Sequence, residues 1–314
     1  MHTRLIIACA QMRPVLGDVA ANRNRILELH GEAAAKGAGL VITPELALTG
    51  YFLRDLAPEV GLPLNSPTLE PLAAATIDGP DLLCSFVEQR EDYRLTISAA
   101  HWHRGHLLHV HRKVYLPTYG MFEDERYFAA GDRCLAYPTP NGPAGILICE
   151  DWLHPVLPSI LVFDGALLLY GCSASPDKGF LKAELGNLDL WFDQLRVYAA
   201  LFGCPIAWCN RVGFEDGIHF GGRSLILDAA GGVLAQGDPF AEGLVIAELD
   251  LGQVRRSRVK APVVETENLA LSIRELTRIQ EKGWHTPMIS REGAPDGRQT
   301  LPLGDLSIPP LPGG

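Results

Sequence analysis

A chain of 314 residues, 47% hydrophobic and 20% charged, has the make-up of a folded soluble protein with a sizeable core, arranged as one large α/β domain or two smaller ones. Its formal net charge of −10 argues against nucleic acid or an anionic membrane as partner, since both recruit basic surfaces, and leans towards neutral or zwitterionic small substrates. The seven cysteines are odd in number, scattered and without a C-x-x-C pair, which excludes a disulfide framework or a zinc ribbon and fits a reducing cytoplasm.

In chain order, Leu5–Ala10 reads as a buried first strand, too short for the core of a signal peptide. Asp18 is placed to cap a helix running to about Lys36, with Ile26, Leu27 and Leu29 as apolar positions and Gly37 and Gly39 closing it. Leu40–Thr43 is a second strand, with Glu45 just past its end. After the turn at Gly79 and Pro80 a helix is expected over about Asp81–Arg90. Tyr93–Trp102 and Leu107–Lys113 read as strands joined by a tight turn at Arg104 and Gly105. Ala144–Ile148 is the next strand, then a short helix after Pro155, a strand at Ala166–Tyr170 and a long helix over Leu181–Phe202. Strands follow at Pro205–Cys209, Ser224–Leu227 and Leu244–Glu248, with a hairpin signal at Asp228–Gly232. Apolar residues at 269, 271, 273, 276 and 279 give Asn268–Gln280 a partly helical period. The alternation implies one α/β domain over residues 1–282, and the Pro- and Gly-rich residues 283–314 are expected to be a tail, loose or draped over a partner subunit. No stretch approaches the ~20 apolar residues of a membrane span.

Three of these apolar runs end on residues able to do chemistry: Glu45, Lys113 and Cys149. Each has a plain structural reading, as a helix-entry acid, a solvated strand-end lysine and a small buried hydrophobe. Together they supply a base, an oxyanion partner and a nucleophile. A thiol is mostly protonated near neutral pH, so it needs a base or a positive neighbour before it attacks. Glu45 can take that proton and return it to a departing amine, a role worth roughly 10²–10⁴-fold. Lys113 can oppose charge on the carbonyl oxygen, with the backbone N–H after Cys149 as a second donor worth about 3 kcal/mol. A second carboxylate nearby would hold the lysine charged.

Carried by P-E-L-A-L-T-G-Y around Glu45, R-K-V-Y-L-P around Lys113 and I-L-I-C-E-D-W around Cys149, the chain resembles the nitrilase superfamily of carbon–nitrogen hydrolases over roughly residues 4–255. F-E-D-E-R-Y-F-A-A-G-D at 122–132, N-R-V-G at 210–213 and F-G-G-R-S at 220–224 add to the resemblance. It implies a four-layer α-β-β-α sandwich, usually dimeric through its cysteine-side face, with a Glu-Lys-Cys triad and no cofactor or metal. The segments 116–122 and Gln11–Asp18 look most like glutaminase domains of glutamine-dependent NAD synthetases, where residues matching Tyr119, Glu150 and a serine of the 173–175 segment, taken as Ser175, contact the glutamine. The arginine expected to hold the glutamine carboxylate soon after Ser175 is absent, Lys178 and Lys182 being the nearby cations. The ammonia-using synthetase domain is not expected, since few residues follow the sandwich. The family's supporting glutamate is replaced by Asp124, between Glu123 and Glu125, so the contact to Lys113 falls either to Asp124 through a backbone shift or to a neighbouring glutamate.

Five histidines between 101 and 111 invite a metal reading, but no cysteine pattern accompanies them and strand residues are the expected outcome. His154 is expected in the pocket wall, and Tyr51, Tyr119, Phe122, Trp152 and Trp191 either line an aromatic cavity or pack the core. Arg255, Arg256 and Arg258 read as a solvated helix face. The sequence thus points to a cytoplasmic amidase that cleaves a small non-peptide amide through a cysteine thioester. The alternatives are a glutaminase subunit feeding ammonia to a separate synthetase, a nitrilase acting on a nitrile, a scaffold with a vestigial triad and a metal-handling protein.

Overall fold

The computed structural model describes residues 4–177 and 186–283. Its first half runs β1 (Arg4–Gln11), α1 (Val19–Ala35), β2 (Leu40–Ile42), α2 (Ala57–Val60), α3 (Glu70–Ala75), β3 (Asp81–Gln89), β4 (Leu95–His103), β5 (His106–Arg112) and α4 (Asp124–Tyr127). Then come β6 (Ala144–Ile148), α5 (Val156–Phe163), β7 (Leu168–Ser173), α6 (Gly186–Phe202) and β8 (Ile206–Asn210). The hairpin strands β9 (Val212–Glu215) and β10 (Ile218–Gly221) precede β11 (Leu225–Leu227), β12 (Val233–Gln236), β13 (Gly243–Asp250) and α7 (Gly252–Lys260).

Among the described residues two large sheets form, in the orders β13-β1-β2-β3-β4-β5 and β12-β11-β8-β7-β6, beside the two-stranded pair β10-β9. Strands β1, β2 and β3 are parallel in the first, and β6, β7 and β8 in the second. Side-chain alternation builds the layers. Ile7, Cys9, Ile42, Leu83 and Val87 point into an apolar core that they share with Ile146, Ile148, Cys172 and Cys209 of the second sheet. Their sequence neighbours Ala8, Ala10, Val41, Leu82 and Phe86 turn the other way, onto Ile26, Leu29 and Ala33 of α1 and Leu72 of α3. On the far side Leu147, Leu169 and Trp208 pack on Leu157 and Leu161 of α5 and Leu195 of α6. The result is the expected four-layer α-β-β-α sandwich.

Because both faces of the central strands are covered, those strands carry no polar alternation. This is why the helix expected over Asp81–Arg90 is a strand: every residue of Asp81–Glu88 is buried, and a continuous apolar run does not distinguish a sandwiched strand from a core helix. The Asp18 cap holds, its carboxylate accepting from the N–H of Ala21 at 2.9 Å. The turn at Arg104 and Gly105 joins β4 to β5, and Asp228–Gly232 joins β11 to β12. The hairpin β9–β10 was not expected, although its Asp216–Gly217 turn, with φ of 49° and 76°, is a D-G hairpin signal. Strand β7 runs on to Ser173, beyond its expected end at Tyr170, and so delivers residues 173–175 to the ends of β2 and β6.

The chain divides into two compact units, Met1–Thr266 and Glu267–Gly314. In the second, α8 (Leu269–Glu281) is capped by Asn268, whose side chain accepts from the Leu271 N–H at 3.0 Å. The expected domain boundary at 282 falls at the end of this helix, and the expected tail lies outside the described residues, as do Lys178 and Lys182. Among the described residues no helix is long and apolar enough to cross a membrane. All seven cysteines are unpaired.

Candidate active site

Glu45, Lys113 and Cys149, remote in sequence, meet at one end of the paired sheets. Glu45 follows β2 through Thr43 and Pro44, and its backbone N–H donates to the carbonyl of Ser173 at 3.3 Å. Its side chain is fully buried; one oxygen accepts from Lys113 Nζ at 2.7 Å and the other from the Ala174 N–H at 3.1 Å. Lys113 leaves β5, is fully buried, and places Nζ 2.7 Å from Asp124 Oδ2 as well. An ammonium has three N–H donors, so two carboxylates leave one for a bound acceptor.

Asp124 therefore takes the contact itself, at the first residue of the short helix α4. Its flanking acids do not replace it: Glu123 and Glu125 are exposed. The second Asp124 oxygen accepts from the hydroxyl of Tyr51 at 2.7 Å. Tyr51 was expected only as an aromatic group lining a cavity or packing the core, so this hydrogen bond is a contact the sequence reading missed. Behind it, the N-R-V-G segment also has a task. Glu215 accepts from the backbone N–H groups of Tyr51 and Phe52 at 2.8 and 2.7 Å and is paired with Arg211 at 2.8 Å, whose guanidinium lies 4.2 Å over the Phe220 ring. The hairpin β9–β10 thus braces the loop that carries Tyr51.

Cys149 follows β6 with φ of 45°, a left-handed conformation rare for a residue with a side chain, and opens a 3₁₀ turn over Cys149–Leu153. It is 5% exposed. The Glu45 carboxyl and the Ala174 N–H lie against its thiol. Burial, then the Glu45 charge, push that thiol well above its ordinary range, while Lys113 opposes them. Burial likewise raises the Glu45 carboxyl against the pull of Lys113. For Lys113 burial works against the charge, but Asp124 and Glu45 overcome it and hold the ammonium well above the usual lysine range. Burial thus favours the neutral thiol, with Glu45 and Lys113 paired beside it.

The carbonyl of Lys113 is anchored by the Gly131 N–H at 2.8 Å, and a Cβ at Gly131 would sit 2.2 Å from the carbonyl oxygen of Arg112. The clash is with the Arg112 backbone, which cannot swing aside as the end of a side chain would. Gly131→Ala is expected to destabilise the fold by about 2–3 kcal/mol, read as a lower denaturant midpoint at unchanged slope.

At the outer rim the half-exposed Tyr119 donates to Glu150 at 2.7 Å, and burial raises the Glu150 carboxyl, partly offset by that hydrogen bond. His154 stacks on Tyr115 with ring centres 3.3 Å apart and lies 3.8 Å from Glu150. Ser175 is buried, its backbone held by Asn210 at 2.8 and 3.3 Å. The aromatic set divides. Tyr51, Phe122 and Tyr119 lie together at ring separations of 6.1 and 5.7 Å, whereas Trp152 and Trp191 belong to the core beneath α5 and α6.

Four of the five histidines are held by protein partners. His101 hydrogen-bonds with Tyr137 at 2.7 Å, His103 with Asp81 at 2.6 Å and His111 with Asp151 at 2.9 Å. His109 stacks on Tyr137 at 4.3 Å, and burial with its histidine neighbours lowers it to about 4. Among the described residues no three His, Cys, Asp or Glu side chains converge as metal ligands. Of the arginine run, Arg256 pairs with Asp250, while Arg258 turns inward to the carbonyls of Phe202 and Ala166 at 3.2 and 2.8 Å.

The sequence profile of the carbon–nitrogen hydrolases matches residues 6–259, and the chain belongs to that family, enzymes that hydrolyse carbon–nitrogen bonds other than peptide bonds. It is 33% identical over 290 residues to a glutamine-dependent NAD(+) synthetase of Thermotoga maritima, which covers 90% of this chain and 49% of the relative. Among solved structures, a glutamine-dependent NAD+ synthetase of Acinetobacter baumannii is 28% identical with a TM-score of 0.71, covering 80% of this chain and 46% of that one. A carbon–nitrogen hydrolase of Helicobacter pylori G27 shares the fold at a TM-score of 0.78 and 24% identity, covering 88% of this chain and 99% of its own. The chain spans about half the length of the NAD synthetases it matches.

Proposed function

We propose that the protein is an amidase that hydrolyses a small primary carboxamide through a thioester on Cys149. The observation that carries this reading is the buried cluster in which Lys113 bridges Glu45 and Asp124 at 2.7 Å each, with the Cys149 thiol against Glu45. As the thiol attacks the carbonyl carbon its proton passes to Glu45, and the remaining Lys113 N–H meets the developing oxyanion together with the N–H of Glu150. Glu45 then protonates the departing ammonia and, once it has left, draws a proton from the water that cleaves the thioester. No cofactor enters this sequence of steps.

A second reading, glutamine as the amide and ammonia passed to a separate synthetase, is favoured by the Tyr119–Glu150 pair at the rim and by the NAD synthetase relatives. An ammonium group of an amino-acid substrate would meet the Glu150 carboxyl there. In either case the unpaired thiols and acidic balance suit the cytoplasm, and a homodimer through the cysteine-side face is the expected assembly.

The test is intact-mass detection of an acyl adduct on Cys149 after brief exposure to a panel of propionamide, L-glutamine and propionitrile. An adduct with propionamide supports the amidase; one with L-glutamine alone moves the assignment to the glutaminase, and no adduct on Cys149 with any of them removes the thioester. Glu45→Gln should lower kcat/KM for the productive amide by roughly 10²–10⁴-fold while preserving the hydrogen bond to Lys113 through the amide oxygen, measured by steady-state ammonia release.

A further inference from the structure

Two residues beyond Cys149 stands a carboxylate that the steps above do not use. Asp151 is fully buried and accepts four hydrogen bonds. Oδ1 receives the backbone N–H groups of Val114 and Tyr115, both at 3.0 Å. Oδ2 receives the N–H of Ile148 at 3.1 Å and His111 Nε2 at 2.9 Å. His111, Val114 and Tyr115 flank Lys113, and Ile148 precedes Cys149, so one side chain joins the segment carrying the lysine to the turn carrying the thiol.

We propose that Asp151 is a positioning residue that sets the distance between the Cys149 sulfur and the Lys113 ammonium. The inference rests on the thioester reading. Cys149 holds a sparsely populated backbone conformation, φ 45°, and such a conformation persists only where its surroundings fix it. Lys113 contributes only if its free N–H meets the oxygen of the carbon that Cys149 attacks. A displacement near 1 Å between such groups costs on the order of 100-fold in rate. The chemistry of the link requires a carboxylate. Four N–H donors converge on two oxygens, and an asparagine of the same shape turns its NH₂ towards one pair of them. If that pair is Val114 and Tyr115, two backbone donors lose their acceptor. If it is Ile148 and His111, the histidine can change tautomer and accept, but Ile148 cannot.

Three variants of the full chain test this, Asp151→Asn, His111→Leu and His111→Gln, the last of which keeps an N–H donor near the place of Nε2. The readouts are kcat and KM on the productive amide and the rate at which iodoacetamide alkylates Cys149, followed by intact mass. Asp151→Asn should lower kcat on the order of 100-fold with KM within about threefold. His111→Leu should slow both turnover and alkylation about tenfold, with His111→Gln within about twofold of the parent, a rescue that loss of packing alone does not give. Circular dichroism establishes that each variant is folded, and if Asp151→Asn is not, the two His111 variants decide. Parental alkylation in His111→Leu, or equal slowing in His111→Gln, overturns the proposal, as does parental kcat in folded Asp151→Asn. The two ideas fail separately: an active Cys149→Ala variant removes the thioester, whereas an inactive one beside an unimpaired Asp151→Asn removes only the clamp.

Discussion

Cys149→Ala is expected to reduce amide turnover at least 10³-fold while leaving the thermal midpoint within a few degrees of the parent. The activity loss is large because the neighbouring cysteines are not placed to replace it. Cys172 and Cys209 are fully buried in the core between the sheets, and burial raises both thiols well above the ordinary range. The stability cost is small because serine- or alanine-sized groups fill nearly the same space, and the thiol's hydrogen bonds to Glu45 and Ala174 are weak ones. Removing the side chain also removes a group whose ionisation Glu45 opposes. Ammonia release and differential scanning calorimetry on the same preparation separate the two effects. Activity within an order of magnitude of the parent would contradict the nucleophile assignment.

How far the sequence carried this site depends on what each residue does. Glu45, Lys113 and Cys149 were legible because each ends an apolar run, where an α/β sheet presents chemistry, and because flanking motifs match a known family. Asp124 was legible only as one of three adjacent acids. The choice among them is made by the start of α4, which turns Asp124 inward and leaves Glu123 and Glu125 in solvent. Tyr51 and Asp151 were missed because their contribution is a hydrogen bond across the fold, to Asp124 and to the segment after β5, and no local pattern encodes such a partner. For the fold the limit was burial. Strand β1 has the same two-sided burial as β3, yet was read correctly because Ile6, Ile7 and its small residues make a poor amphipathic helix; Asp81–Gln89 offers Leu, Phe and Glu, which suit either state. Trp152 follows Cys149 by three residues but points into the core beneath α6, since the 3₁₀ turn rotates it away from the thiol.

Lys113→Met should abolish turnover and, unlike Cys149→Ala, should also destabilise the protein in a pH-dependent way. Methionine has nearly the volume of the lysine stem but leaves Glu45 and Asp124 facing each other without a cation, in a site where both are buried. Breaking a buried ion pair by deleting one partner costs about 3–5 kcal/mol when the remaining charge stays ionised. The pair can relieve this cost by binding a proton, since Glu45 is already raised by burial in the parent and then loses Lys113, the neighbour that pulls it down most strongly. The folded variant therefore binds more protons than its unfolded chain over the range between the ordinary carboxyl value and the raised folded one. Stability falls with rising pH wherever the native state holds more protons, so the contribution is complete below the unfolded carboxyl pKa and is lost as pH rises through the folded one. Thermal midpoints at about pH 5 and about pH 8 should consequently lie farther apart in Lys113→Met than in the parent, with the variant the less stable at the higher pH. A Lys113→Met protein whose midpoint tracks the parent at both values would show that the two carboxylates do not share a desolvated site, and the electrostatic account of the lysine would fall with it.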